Sequence, residues 1–179
     1  RVLTVRPGLI VGPWDPTGRF TYWPERLAAG GRVLAPAPPD APAQVIDARD
    51  LAAWLVRAAE EGLGGTFNAV DRPTTRAALI EACRTSDVDL VWVDGDFLAE
   101  HGVGEWMELP LWLHSPEYRG MLAIDPSPAF DAGLKTRPLV ETARDTLAWV
   151  RTGDGPEEPP AGLARQKERE LLDSWASKD

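Results

Sequence analysis

The sequence predicts an α/β fold, and three observations carry that prediction. The opening run Val2-Leu3-Thr4-Val5 is apolar and rich in β-branched residues, and it stops at Pro7-Gly8. Such a run reads as a buried strand whose carboxyl end opens into a loop. A second run, Thr66 to Val70, follows the clearest helical pattern in the chain, in which Leu51, Trp54, Leu55 and Ala58 recur at i, i+3, i+4 and i+7. Strands that alternate with amphipathic helices build parallel sheets covered on both faces.

In chain order, residues 2–5 form the first strand, and 6–19 form a loop at its carboxyl end. A helix follows over 21–29, with Pro24 in its first turn and Gly30 behind it. Arg32 to Ala35 is a short strand, 36–42 a proline-rich connection and Gln44 to Ile46 another strand. The helix over 50–61 has an acidic start and Gly62 behind it. After the 66–70 strand comes a helix over 75–85, with Thr74 as its N-cap. Asp89 to Val93 alternates as a strand, Asp96 to His101 is a short helix, and 102–120 has no clear period. Met121 to Ile124 reads as a strand, 127–132 as a helical turn and 138–151 as a closing helix with proline in its first turn. This organises the chain as a main unit over 1–152, a Gly-, Pro- and acid-rich linker over 153–162, and a C-terminal amphipathic helix over 163–179. No internal repeat is visible.

The segment Arg6-Pro-Gly-Leu-Ile-Val-Gly-Pro13 resembles one found in the extended short-chain dehydrogenase/reductase family, the NAD-dependent epimerase/dehydratase group. In that family it follows the catalytic Tyr-x-x-x-Lys helix and passes the nicotinamide. Three further segments resemble the family in the same order: Gln44 to Ala52, Gly65 to Ala69, and Gly133 to Trp149. The resemblance implies the C-terminal part of a Rossmann-like parallel sheet plus a small mixed α/β substrate-binding lobe. The N-terminal dinucleotide-binding half is missing from the sequence. No Gly-x-x-Gly-x-x-Gly turn, where a helix N-terminus would receive a pyrophosphate, occurs in it. Tyr-x-x-x-Lys is absent too. Tyr22-x-x-x-Arg26 has the spacing, but it lies after the strand and offers a guanidinium in place of an ammonium, so no catalytic residue is assigned. The chain opens on Arg1 rather than Met, and a preceding segment is expected.

Composition narrows the functional classes. The 179 residues fit one domain or slightly more, and 44% hydrophobic content is globular. No apolar run approaches a membrane span, and the opening residues read as a strand rather than a signal peptide. Net charge is −9 with no basic cluster, which argues against nucleic acid as a partner. The single cysteine, Cys83, has no disulfide partner in the chain, consistent with a reducing cytoplasm. The Ala, Arg, Pro, Gly and Trp content suggests a GC-rich bacterial genome. Two strands of a doubly covered sheet would also expose unpaired edges in this chain, so the missing N-terminal half, or a second copy, is expected to cover them.

The resemblance implies that Pro7, Gly8 and Ile10 line a bound NAD or NADP, Gly8 because the absence of Cβ lets a flat ring approach the backbone. It implies a substrate-facing role for Trp14, Asp15, Arg19, Phe20 and Trp23, with Gln44 as a further substrate contact. Aromatic groups there give shape, while a few polar groups orient a ligand. Trp106, Trp112, His114 and Tyr118 are candidates for a second wall. Arg49 is a candidate substrate contact, and Asp50 is read as favouring a helix N-terminus. Neither histidine has metal-ligand neighbours, so no metal site is expected, and no serine sits in a nucleophile elbow.

The resemblance implies an NAD(P)-dependent reductase or epimerase that transfers hydride between nicotinamide and a carbonyl or alcohol carbon. The nearby tryptophans favour an uncharged, partly apolar substrate, while Arg19, Arg26 and Arg32 could still serve a phosphate. The isolated chain, a part of such an oxidoreductase, is expected to be inactive. The alternative is a non-catalytic module of the same fold that senses a ligand or redox cofactor. A third reading makes the 165–177 helix a docking element for a partner.

Overall fold

The computed structural model describes residues 1–118, 120–155 and 160–178. The chain begins with β1 (Leu3–Pro7), β2 (Leu9–Val11), α1 (Tyr22–Ala28), β3 (Gly31–Pro36), β4 (Pro42–Ala43) and β5 (Val45–Asp47). It continues with α2 (Ala48–Glu60), β6 (Gly65–Ala69), β7 (Thr74–Thr75), α3 (Arg76–Ala82) and β8 (Val88–Val93). The last elements are α4 (Gly95–Glu100), β9 (Glu105–Trp106), β10 (Leu109–Pro110), α5 (Ser127–Asp131), α6 (Leu139–Trp149) and α7 (Arg165–Ala176).

The strands pair two by two. β1 lies parallel to β6, β2 to β5 and β3 to β8, while β4 and β7 form a short antiparallel bridge and β9 and β10 a short parallel one. The parallel α/β character expected from the sequence is present, but as small pairs rather than one continuous sheet. β1 and β2 are nearly one strand, interrupted at Gly8, that serves two partners. β5 pairs with β2 on one side, and on the other its Val45 carbonyl accepts the Asp71 N–H at 3.0 Å as the chain leaves β6.

Alternation along β1 and β2 decides which face is covered. Val5 and Phe67 turn inward onto a cluster of Ile46, Leu51, Trp54, Val70 and Leu134, with Trp54 edge-on to Phe67 at 5.7 Å. The opposite face shows Thr4, Arg6 and Thr66 exposed, with Val2 79% and Ile10 40% exposed. The larger core gathers β3, α1, α3, α4 and α7 around Phe20, Trp23, Leu27, Leu34, Leu98 and Trp112, each buried.

Several local expectations need correction. Met121 to Ile124 is no strand: the Ile124 N–H donates to Gln44 Oε1 at 2.8 Å and its carbonyl accepts from Gln44 Nε2 at 2.7 Å. A glutamine side chain has taken the bonds a neighbouring strand would make. The N-cap of α3 is Thr75, whose hydroxyl accepts from the Ala78 N–H, one residue later than expected. Part of the 153–162 linker, residues 156–159, lies outside the described residues, as does residue 179 of the terminal helix.

The helix offered for a partner spends its apolar face on its own chain. Leu171 and Leu172 are buried, and Trp175 meets Phe97 edge-on at 5.0 Å. Glu168, almost fully buried, pairs with buried Arg26 at 2.7 Å and also accepts the Leu34 N–H at 3.1 Å. One carboxylate of α7 thus neutralises an α1 guanidinium and satisfies an amide on the free edge of β3. Removing one partner of a buried ion pair strands the other charge. Glu168→Ala is therefore expected to lower unfolding free energy by about 3–5 kcal/mol in urea denaturation, whereas alanine at exposed Glu170 should change it little.

Candidate functional site

In open α/β sheets ligands gather beyond the carboxyl ends of parallel strands, which here are Pro7-Gly8, Val11, Asp47, Ala69, Pro36 and Val93. At the first of these, the Gly8 N–H reaches the Ala69 carbonyl at 3.3 Å. A β-carbon on Gly8 would lie 2.4 Å from Val70 Cγ2 and 2.9 Å from Val70 Cβ. The close approach that glycine permits here is thus to Val70. Pro7 is exposed and Ile10 stands on the open face.

Past β2 the chain turns sharply. Trp14 is 69% exposed with φ +71°, a left-handed conformation uncommon for a large side chain. Its ring leans on Trp149 with centroids 5.6 Å apart. Asp15 is buried. Its Oδ1 accepts from the Thr17 N–H at 2.8 Å and hydroxyl at 2.7 Å, while Oδ2 has no partner. Arg19 lies 5.1 Å over the Trp106 ring, its Nε 3.3 Å from Met107 Sδ.

The other expected substrate contacts lie inside the protein. Phe20 and Trp23 are core residues, and Trp23 Nε1 donates to the Pro110 carbonyl at 3.1 Å. Gln44 is buried and clamps Asp71 and Ile124. Tyr22 is buried with an unpartnered hydroxyl, and burial pushes its ionisation up. Arg26 is committed to Glu168, so this pair does not present a proton donor at the surface. Burial likewise raises the Cys83 thiol, leaving a packing residue rather than a nucleophile.

The carboxyl end of β5 carries a charged network. Asp47, the buried N-cap of α2, accepts from the Arg49 N–H and side chain and from the Thr142 hydroxyl at 2.7 Å. Arg49 bridges on to Asp145, and Arg137 pairs with Asp50 at 2.7 Å, so the start of α2 is bolted to α6. Burial raises the Asp47 carboxyl, but hydrogen bonds from Arg49 and Thr142 outweigh it and hold the group below the usual carboxylate range. Gly12 passes this carboxylate, its ideal β-carbon 3.5 Å from both oxygens. Arg49 is thus engaged within the protein. Asp50 holds Arg137 besides standing in the first turn of α2.

A cavity of about 380 Å³ opens beyond the carboxyl ends of β3 and β8. Its walls are Ala37, Pro38 and Arg76 on one side and Trp112, His114 and Tyr118, from the irregular stretch, on the other. Neighbouring acids are engaged: Asp96 lies 3.1 Å from His114 Nε2, and Glu105 accepts the His114 and Ser115 amides and the Ser115 hydroxyl. Sequence reasoning passed over Arg76. Its one signal is a cation in the first turn of a helix, where the dipole disfavours it. Among the described residues, Pro7, Gly8, Ile10, Trp14, Asp15, Arg19, Phe20, Trp23 and Gln44 line neither this cavity nor four more open hollows elsewhere. Among the described residues no group of three or more His, Cys, Asp or Glu could hold a metal, and no helix is long and apolar enough to cross a membrane.

No known family profile matches the sequence, and no curated protein matches it. Solved structures do share its fold. WbmH of Bordetella bronchiseptica in complex with NAD+ is 20% identical with a TM-score of 0.54, covering 83% of this chain and 45% of its own. RMD of Pseudomonas aeruginosa complexed with NADPH is 16% identical with a TM-score of 0.57, covering 84% and 49%. UDP-glucose 4-epimerase of Thermus thermophilus in complex with NAD is 18% identical with a TM-score of 0.53, covering 83% and 46%. The chain spans about half the length of the solved proteins it matches.

Two outcomes follow from this geometry. Gly8→Ala should destabilise the protein by about 1–3 kcal/mol through overpacking, and adding Val70→Ala should recover much of the loss in thermal unfolding. Asp47→Asn should cost about 2–4 kcal/mol at neutral pH. Because the folded Asp47 is a stronger acid than the unfolded one, its contribution is complete above the unfolded value, about 3.9, and fades as pH falls through the folded value. The gap between wild type and variant should therefore narrow below about pH 4.

Proposed function

We propose that this chain is the substrate-facing, C-terminal half of an NAD(P)-dependent reductase or epimerase of the extended short-chain dehydrogenase/reductase type. The observation that carries the reading is the open face of β1 and β2. It ends in exposed Pro7, Ile10 and Trp14 at the carboxyl ends of parallel strands, in a fold shared with enzymes solved with NAD or NADPH.

These residues fit one side of a flat heteroaromatic ring. Ile10 offers apolar area, Pro7 a rigid rim and Trp14 a large indole beyond it. A bound nicotinamide would supply or accept hydride at a carbonyl or alcohol carbon. Ile10 and Pro7 would exclude water from one side of the ring, and Trp14 and Arg19 would orient the substrate. The pyrophosphate turn and the Tyr-x-x-x-Lys that manages the substrate proton belong, in this reading, to a preceding segment, which also covers the exposed strands. The buried single cysteine suits a reducing compartment such as a bacterial cytoplasm.

The test is to express the chain together with the residues encoded upstream of it and to titrate NADH and NADPH by fluorescence. The expected result is a glycine-rich turn and Tyr-x-x-x-Lys in the added segment, nucleotide binding by the longer protein and none by the chain alone. In the longer protein Ile10→Asp should weaken binding roughly tenfold or more, since an acid would be desolvated against the ring. A glycine-rich turn without the tyrosine would favour the sensing module, and an added segment with neither would sink the reading.

A further inference from the structure

The cavity beyond β3 and β8 contains an uncompensated charge. Arg76 is 5% exposed, and no acid pairs with it among the described residues. Its Nη1 donates to the Pro36 carbonyl at 2.9 Å and the Pro38 carbonyl at 3.2 Å, which staples the proline-rich connection. Its Nε is buried with no hydrogen-bond partner among the described residues. Burial alone pulls the guanidinium down to about 10, with no neighbouring carboxylate to raise it. A buried guanidinium normally recovers its lost hydration through a carboxylate or phosphate, and Arg76 faces a cavity that could admit one.

The rest of the wall narrows the ligand. Arg76 is its one permanently cationic side chain among the described residues, and Ala37, Pro38, Pro42, Trp112, Leu113 and Leu122 make it largely apolar. With Nη1 spent on the Pro36 and Pro38 carbonyls, the guanidinium has donors left for the two oxygens of a carboxylate rather than the three of a phosphate. The acids that contact this wall, Asp96 and Glu105, bond His114 and Ser115, and neither pairs with Arg76. We propose that this cavity binds a small monocarboxylate with an apolar or aromatic body, its carboxylate on Arg76 and its body between Pro38 and Trp112. The inference rests on Arg76 and the cavity alone, so it stands or falls separately from the nicotinamide reading.

The test is calorimetric titration of the full chain, without nucleotide, with 3-phenylpropionate, its neutral amide and phenyl phosphate. The acid should bind with one-to-one stoichiometry, and the amide and phenyl phosphate each at least roughly tenfold more weakly, the scale of a lost charged hydrogen bond. Arg76→Gln should abolish the difference between acid and amide. Because that variant also loosens the 36–38 staple, Ala41→Leu provides a second check: it fills the cavity, leaves Arg76 in place and should weaken the acid by a similar factor. Equal binding of acid and amide, preference for phenyl phosphate, undiminished binding by folded Arg76→Gln or by Ala41→Leu, or no binding of the acid at millimolar concentration would each overturn the proposal.

Discussion

Parallel strands need cover on both faces, because their amides and carbonyls are satisfied only by neighbours and their side chains project to both sides. This requirement governs the molecule. β3 meets it within the chain: β8 lies along one edge, Glu168 takes an amide on the other, and helices enclose its side chains. β1 and β6 meet it on one face only, through Trp54, Leu134 and their neighbours, and leave Val2, Thr4, Arg6 and Thr66 outward. The asymmetry separates a body covered on both sides from a face covered on one side only.

Fixed charges hold the finished body in register. The Asp47 network locks the start of α2 to α6, and the Arg26–Glu168 pair locks α7 across α1 and β3. Both are buried on at least one side, where an unmatched partner is expensive. The turn from Gly12 to Thr17 passes the Asp47 carboxylate at Gly12 and holds Trp14 exposed in a left-handed conformation. The Trp14 ring leans on Trp149 of α6, with centroids 5.6 Å apart. Arg76 shows the complementary pattern, a buried charge with no carboxylate partner among the described residues, beside a cavity.

The elements most visible in the sequence were those whose pattern reflects burial directly. Leu51, Trp54 and Ala58 mark the inner side of α2, and Leu3 and Val5 alternate as their burial does. Residues whose packing depends on a distant partner left little local signal. Gln44 stood as a pocket residue because nothing local reveals that it bonds Ile124, eighty positions away; the apolar run 121–124 read as a strand because its bonds to that side chain leave no local mark. Phe20 and Trp23 have the composition of a pocket wall and of a core alike, and only tertiary packing separates the two. Gly8 was visible as a site of close approach, but Val70 as its neighbour was not. Arg76 carried almost no local signal, since the lack of an acid near it is a fact of three dimensions.

In the function proposed above, the outward face of β1, β2 and β6 is completed by another segment of polypeptide. Hydrogen exchange read at residues 2–10 and 65–69 tests it most directly, comparing this chain with the protein extended by its upstream coding region. The account predicts fast exchange at these strands in the chain alone, slow exchange at Val33 to Ala35, and strong protection of both regions in the longer protein. Equal protection of residues 2–10 in the two proteins would show that the face needs no cover, and the account would fail.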